Sequence, residues 1–289
     1  MKLVTFQIDG NVHHGVLHGE PDQGSIVDLG PGDLLALVES GGLGVERGEQ
    51  TSAPRHDVSA VRLMAPLLRP PKLLALARNY QDHITESGGQ PVNKQRIVPK
   101  LFLKPSSAII GPDQPLCLPT ISHTTDWEVE LAVVIGKRCR NVELPDALDA
   151  VFGYTIANDV SARTTDWSVE RDPDQWNEFF DWLNGKWPDG FAPLGPYVLT
   201  ADEIPDPHHL DLSLHLNGEQ KQHSNTREMI STVAETIVFA SRFMTLEPGD
   251  IIETGTPSGV GATSGTYVKS GDVMEARVDK LGMLRTPVQ

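Results

Sequence analysis

Alternation of apolar and polar positions opens the chain. LVTFQI and HHGVLHG change face residue by residue and flank Asp9-Gly10-Asn11, which predicts two short strands joined by a turn. DLLALVESGG predicts a short helix that stops at Gly41-Gly42. RGEQTSAPRHD is polar and contains proline, so it predicts a loop. After VRLMAPLLR, Pro70-Pro71 predicts a boundary between a small β-rich unit, residues 1–68, and a main body, residues 69–289.

Beyond Lys72 the texture changes. LLALA, LFLKP, VELAVVIG, FGYTIANDVS, YVLT, LDLSLHLNG, DIIETG and VMEARVDKLG are strand-like and often separated by Gly or Pro. Asn79 to Gly88 predicts either a helix or a mobile loop. EMISTVAETIVFASRFM is the clearest helix, with Met229, Ile230, Val233, Ile237, Val238 and Phe243 largely at helical spacing. Many strands and few helices predict a β-rich mixed α/β fold. The lack of regular βαβ alternation excludes a Rossmann sheet.

Composition changes this picture little. Of 289 residues, 39% are hydrophobic and 22% charged, enough apolar content for a full core. The formal net charge of −15 repels nucleic acid and anionic membranes, so neither is an expected partner. It does not forbid an anionic substrate, because a bound cation reverses the sign inside one pocket. Cys117 and Cys139 form no disulfide framework and are expected as reduced thiols. MKLVTFQIDG has a strand pattern rather than that of a signal peptide, and no apolar run approaches the roughly 20 residues that span a bilayer. The expected compartment is the cytoplasm.

Candidate chemistry centres on DWEVELAVVIG. On a strand, Glu128 and Glu130 point the same way, with Cα atoms roughly 6.5–7 Å apart. Two carboxylates entering an apolar strand repel each other and lose hydration unless paired or metal-bound. Exposed acids at a strand end are common, so the pair alone does not decide. Asp159, in GYTIANDVSAR, is a third acid in a strand-like run, although a lone Asp there is usually a turn or cap residue. Three acids suit Mg²⁺ or Mn²⁺, which take oxygen ligands; no His or Cys has zinc-ligand spacing beside them. If RNYQDHITE is helical, His83 and Glu86 share a side, and the carboxylate can orient the imidazole for proton transfer. Lys104 and Lys186 are possible partners for an oxyanion or a carboxylate. TGTPSGVG lets backbone NH groups approach a ligand but lacks a Walker lysine and the dinucleotide fingerprint.

Taken in order, RNYQDHITESG, LFLKPSSAIIGP, DWEVELAVVIGK, GYTIANDVSAR, FAPLGPYVLT and PGDIIETGTPSGVG resemble the fumarylacetoacetate hydrolase superfamily over roughly residues 70 to 285. The resemblance implies a mixed β-roll preceded by a small, variable N-terminal β-rich domain. It implies Mg²⁺ or Mn²⁺ held by Glu128, Glu130 and Asp159, and a lid carrying His83 and Glu86 that positions a water. It further implies that Lys186 stabilises enolate charge and that Thr256 contacts the substrate carboxylate. Arg78, Tyr80 and Lys104 are implied as pocket lining, and the assembly as a homodimer. Two departures stand out: Arg163 is followed by Thr164 where the family commonly has aspartate, and residues 165–187 are longer and more aromatic than in compact members.

The expected activity is metal-dependent hydrolysis of a C–C bond in a small 2-oxo acid, a 2,4-dioxo acid of the acylpyruvate or fumarylpyruvate type. Oxaloacetate-type decarboxylation, or isomerisation of the 2-hydroxyhepta-2,4-diene-1,7-dioate type in aromatic catabolism, is the alternative. A non-catalytic metal-stabilised dimer is a second.

Overall fold

The computed structural model describes residues 1–42, 53–172, 174 and 176–289. Residues 47–52 of the loop expected at RGEQTSAPRHD lie outside that set.

A twelve-stranded sheet organises the chain. Its main path runs Arg55–Asp57, Ser25–Pro31, Asn11–His18, Lys2–Ile8, Ala192–Thr200, Val151–Asn158, Val129–Ile135, Ile251–Glu253, Leu73–Ala77 and Lys100–Lys104. The first two strands form the expected hairpin. Ile8 pairs with Asn11, and the turn residues Asp9 and Gly10 have φ of 48° and 82°, the left-handed pair that matches strand twist. Lys2 and Leu3 also pair with Leu199 and Val198, so the N-terminal strands continue the sheet of the main body. A second sheet of four strands runs Glu219–Asn225, Asp211–Leu216, Val273–Val278 and Gly282–Pro287. The architecture is mixed α/β, with large sheets and few helices. Among the described residues, no helix is long and apolar enough to cross a membrane.

The two central strands, Val129–Ile135 and Ala192–Thr200, are buried at every position, which accounts for their near-continuous apolar runs. Glu130 is therefore an acid in the middle of the core rather than at a solvated end.

The long helix is shorter than its apolar spacing predicts and spans Val233–Phe243. Thr232 accepts from Glu235 N, and Thr232 N donates to the Glu235 carboxylate, a reciprocal cap that sets the start at Val233. Met229 and Ile230 fall before it, and Met229 bridges to Tyr80 instead. Phe243 is 69% exposed, and its ring meets that of Phe239 on its own helix.

Candidate active site

Strand register gathers the acids. Val129 pairs with Asn158 and Glu130 with Ala157, which sets Glu128 opposite Asp159. Ala132 pairs with Glu253 on the other side, Glu253 with Ala75, Ala75 with Phe102, and Leu73 with Lys104. Because side chains alternate, Glu128, Glu130, Asp159, Glu253, Phe102 and Lys104 all project from one face. Ala132, Ala157 and Ala75 between them are small and leave room. Glu128 and Asp159 each lie one residue outside their strands, Val129–Ile135 and Val151–Asn158, yet keep the alternation. Asp159 N donates to Glu128 O at 2.9 Å, and Glu128 N donates to Asn158 Oδ1 at 2.8 Å, which locks both ends. Glu128, Glu130 and Asp159 each offer an oxygen within 4.8 Å of the others, and all three are buried.

Five buried carboxyls, Asp126, Glu128, Glu130, Asp159 and Glu253, face three basic groups, Lys104, Arg163 and Lys186. Lys186 Nζ lies 2.9 Å from Glu128 Oε2 and 2.5 Å from Asp159 Oδ2. Lys104 pairs with Asp159, donates to Phe191 O at 2.7 Å, and stands 4.0 Å from Glu253. Arg163 Nη2 reaches Glu128 Oε1 at 2.6 Å, and its Nε donates to Asp126 at 2.7 Å. Burial disfavours ionised Glu128, but Lys186 and Arg163 outweigh it and hold this carboxyl well below the usual range. Burial likewise opposes charge on Lys186, and Asp159 with Glu128 overcomes it, so the ammonium stays protonated. Glu130 goes the other way. Burial, then Asp159, Glu253 and Glu128, push its carboxyl well above the ordinary value. Glu253 is pushed up to about 8, mainly by burial.

The residues present fit a divalent cation. All three clustered ligand candidates are hard oxygen donors, and among the described residues Glu130 Oε1 has no hydrogen-bond partner although it is buried. With all five carboxyls ionised the set would carry two more negative charges than positive ones, and one doubly charged ion cancels that excess.

The glycine-rich turn grips acids of the protein itself. Gly255 N donates to Glu130, Gly259 N to Glu86 at 2.8 Å, and Gly261 N and Ala262 N to Asp126 at 2.6 and 2.9 Å. Gly255 has φ of 90°, and a Cβ there would meet Asn79 Cβ at 2.7 Å, so backbone shape and close approach both require glycine. Asn79 accepts from Ser231 N and donates to Ser231 O and Thr254 O, anchoring the base of the next helix.

That helix, Gln81–Glu86, resolves the choice between helix and loop at Asn79–Gly88. His83 Nδ1 is 2.7 Å from Glu86 Oε1, which leaves Nε2 as the other ring nitrogen. Asp82 accepts from Ser258 Oγ at 2.7 Å. Helix and turn are thus docked together.

A cavity of about 840 Å³ joins these parts. His83, Glu128, Arg163, Lys186 and Thr256 line its polar end, and Arg78 and Lys100 lie at the exposed rim. The far wall comes from a helix not foreseen in the sequence, Asn177–Asn184, inside the long segment 165–187. Tyr80 and Lys104, expected as pocket lining, lie behind the wall. Tyr80 is 0% exposed because it bridges to Met229, and the Lys104 ammonium is turned into the acid cluster. The Thr256 hydroxyl donates to Val129 O and accepts from Gln222 Nε2, so its hydroxyl is already committed.

Several residues of the site went unassigned at the sequence level. Glu253 sits in DIIETG three residues after Asp250, a spacing that puts the two acids on opposite faces of a strand; its only signal is a charge ending an apolar strand. Gln222 is buried on an otherwise polar strand, where its side chain joins Val129 N, Thr256 Oγ1 and Pro257 O. Asp126 and Arg163 stand in the quoted motifs, but their pairing across the two-stranded sheet needs the fold.

Residues 72–289 match the family model described as fumarylacetoacetate (FAA) hydrolase C-terminal. The chain is 38% identical over 299 residues to the oxaloacetate tautomerase fahd2, mitochondrial, of Xenopus laevis, covering 100% of this chain and 90% of that protein. The crystal structure of 2-hydroxyhepta-2,4-diene-1,7-dioate isomerase from Mycobacterium marinum is similar at 32% identity and a TM-score of 0.78, over 100% of this chain and 98% of that one. Maleylpyruvate hydrolase from Sphingobium sp. SYK-6, solved with manganese(II) and pyruvate, is similar at 31% identity and a TM-score of 0.78, with the same coverage. With three-quarters of its length inside the family model and full-length relatives above 30% identity, this chain belongs to the fumarylacetoacetate hydrolase family.

Proposed function

We propose that this chain is a divalent-metal-dependent hydrolase that cleaves a C–C bond in a 2,4-dioxo acid. The observation that carries the reading is the shared cavity: His83, hydrogen-bonded to Glu86, and the Glu128–Lys186 end line the same space. The relatives are named as hydrolases, isomerases and tautomerases, and of these reactions only hydrolysis needs a group that activates water.

Glu128, Glu130 and Asp159 would hold Mg²⁺ or Mn²⁺. Bound there, the ion would supply Lewis-acid stabilisation of the negative charge that develops on the substrate. The chain's own groups do the rest. His83 Nε2 takes a proton from water, and Glu86 on Nδ1 orients the ring and stabilises the imidazolium. The oxygen of that water bonds to C4, and the C3–C4 bond breaks. Its electron pair passes to C3 as the enolate of pyruvate, and the acyl group departs as a carboxylic acid. Lys186 keeps a fixed positive charge beside the end where enolate charge develops, in a space largely screened from water. Proton return to C3 completes pyruvate.

A second reading is keto–enol tautomerisation of oxaloacetate, favoured by the full-length relatives named for it. In it the same His83 moves a proton at C3 and no bond between carbons breaks. One experiment separates the two. Protein loaded with Mn²⁺ is given acetylpyruvate with lactate dehydrogenase and NADH, and separately the enol of oxaloacetate, followed by its ultraviolet absorbance. Pyruvate release from acetylpyruvate supports hydrolysis. Accelerated loss of the oxaloacetate enol with no pyruvate from acetylpyruvate overturns hydrolysis in favour of tautomerisation.

A further inference from the structure

The Asn177–Asn184 helix buries none of its residues, yet it is amphipathic. Phe179, Trp182 and Leu183, at i, i+3 and i+4, face the cavity rather than a core. An apolar helix face turned onto open space leaves apolar area for a ligand to cover. The rings form a continuous shelf: Phe102 and Trp182 meet edge-on with centroids 4.9 Å apart, and Phe179 lies 6.0 Å from Trp182. The shelf begins at the reacting end, because Lys186 Nζ lies 5.5 Å from the Phe102 centroid and 6.0 Å from that of Trp182. A cavity of about 840 Å³ exceeds the needs of a four-carbon acid and falls in the roughly 300–1,000 Å³ range that holds larger ligands.

From this geometry we infer that the site selects 2-oxo acids carrying an aryl group beyond the reacting carbons, with Trp182 as the specificity-determining residue. The inference rests on the reading of the site as one for 2-oxo acids, and it holds for hydrolysis and tautomerisation alike. A flat ring stacks or packs edge-on against Trp182 and Phe102 at aromatic separations. A second carboxylate in the same place is disfavoured. Of the cationic lining residues, Arg163 and Lys186 are already paired with Asp126, Glu128 and Asp159, Arg78 and Lys100 are at the exposed rim, and a carboxylate on the shelf would lose hydration that the aromatic rings do not replace.

The test is binding, so that it does not depend on turnover. Full-length protein loaded with Mn²⁺ is titrated calorimetrically with pyruvate, 4-phenyl-2-oxobutanoate and 2-oxoglutarate, and tryptophan emission is recorded in parallel. The phenyl acid is expected to bind at least about tenfold tighter than pyruvate, as burial of a ring predicts, and to quench tryptophan emission. In Trp182→Ala the phenyl-to-pyruvate affinity ratio collapses to within about threefold, and Trp182→Phe restores most of it. Equal binding of phenyl acid and pyruvate, or tighter binding of 2-oxoglutarate than of the phenyl acid, overturns the aryl preference while leaving the 2-oxo acid reading in place. Absence of pyruvate binding overturns that reading and this inference together.

Discussion

Glu86 holds His83 with one carboxylate oxygen, at 2.7 Å, and the backbone of Gly259 with the other, at 2.8 Å. The same side chain thus orients the base and fastens the helix that carries it. His83→Ala is expected to lower kcat for acylpyruvate hydrolysis by about 10²–10⁴-fold, the usual worth of a general base. Oxaloacetate decarboxylation, which needs no attacking water, is expected to suffer less. Steady-state rates on both substrates check this, and equal losses would contradict the role given to His83.

Glu128 is the acid most committed to ionisation, paired with Lys186 and Arg163. Glu128→Ala is expected to remove Mn²⁺ binding by calorimetry and abolish turnover. It also takes one of two paired carboxylates from each of Lys186 and Arg163, which keep Asp159 and Asp126, and is expected to lower stability. Glu128→Gln keeps the shape and separates the two effects. Full metal affinity in Glu128→Gln would remove Glu128 from the ligand set.

Glu253 gives a pH dependence of defined sign. Its ordinary carboxyl value is 4.5, and in the fold it is pushed up to about 8. Between these values the unfolded chain has lost the proton and the folded chain keeps it, so the contribution to stability falls as pH rises from about 4.5 to about 8. Glu253→Gln cannot ionise and escapes that loss. In chelator, its unfolding free energy from urea titration is expected to match that of the unmutated protein near pH 5 and to exceed it near pH 8, by a difference on the order of a few kcal/mol. A constant difference across that range would show that Glu253 does not titrate there.

Gln222 ties three elements together through Val129 N, Thr256 Oγ1 and Pro257 O. Gln222→Ala strands those buried groups and is expected to cost about 1–3 kcal/mol in chemical denaturation. Gln222→Glu keeps the acceptor for Val129 N but loses the donor, and is expected to be at least as damaging.

Much of this molecule was legible before its fold. Val129–Ile135 announced itself by an unbroken apolar run with one acid inside, and the first hairpin by its turn. Glu219–Asn225 did not, because EQKQHSN is an exposed strand of the smaller sheet that buries Gln222 alone. Ser25–Pro31 and Gly282–Pro287 were also passed over, being broken by Gly, Pro and polar residues. Glu128, Glu130 and Asp159 were readable because two share one motif and the third sits in an apolar setting. Glu253 was not, since its relation to them is a matter of register between strands more than a hundred residues apart in the chain. The Asn177–Asn184 helix was hidden by its shortness: Phe179, Trp182 and Leu183 keep helical spacing, but eight residues give little more than two turns of it.

The acids and Lys104 are held by the sheet and its edges and the imidazole by a helix clamped to the glycine-rich turn, whereas the aromatic wall hangs on a short helix whose end leads directly into Lys186. Most of the reactivity and the choice of reactant are therefore carried by separate pieces of the polypeptide, which meet at Lys186. A library confined to Phe179 and Trp182, with Lys186 kept, can redirect which molecules are accepted while the acids and the imidazole stay in place, which makes this chain a natural starting point for altering substrate range.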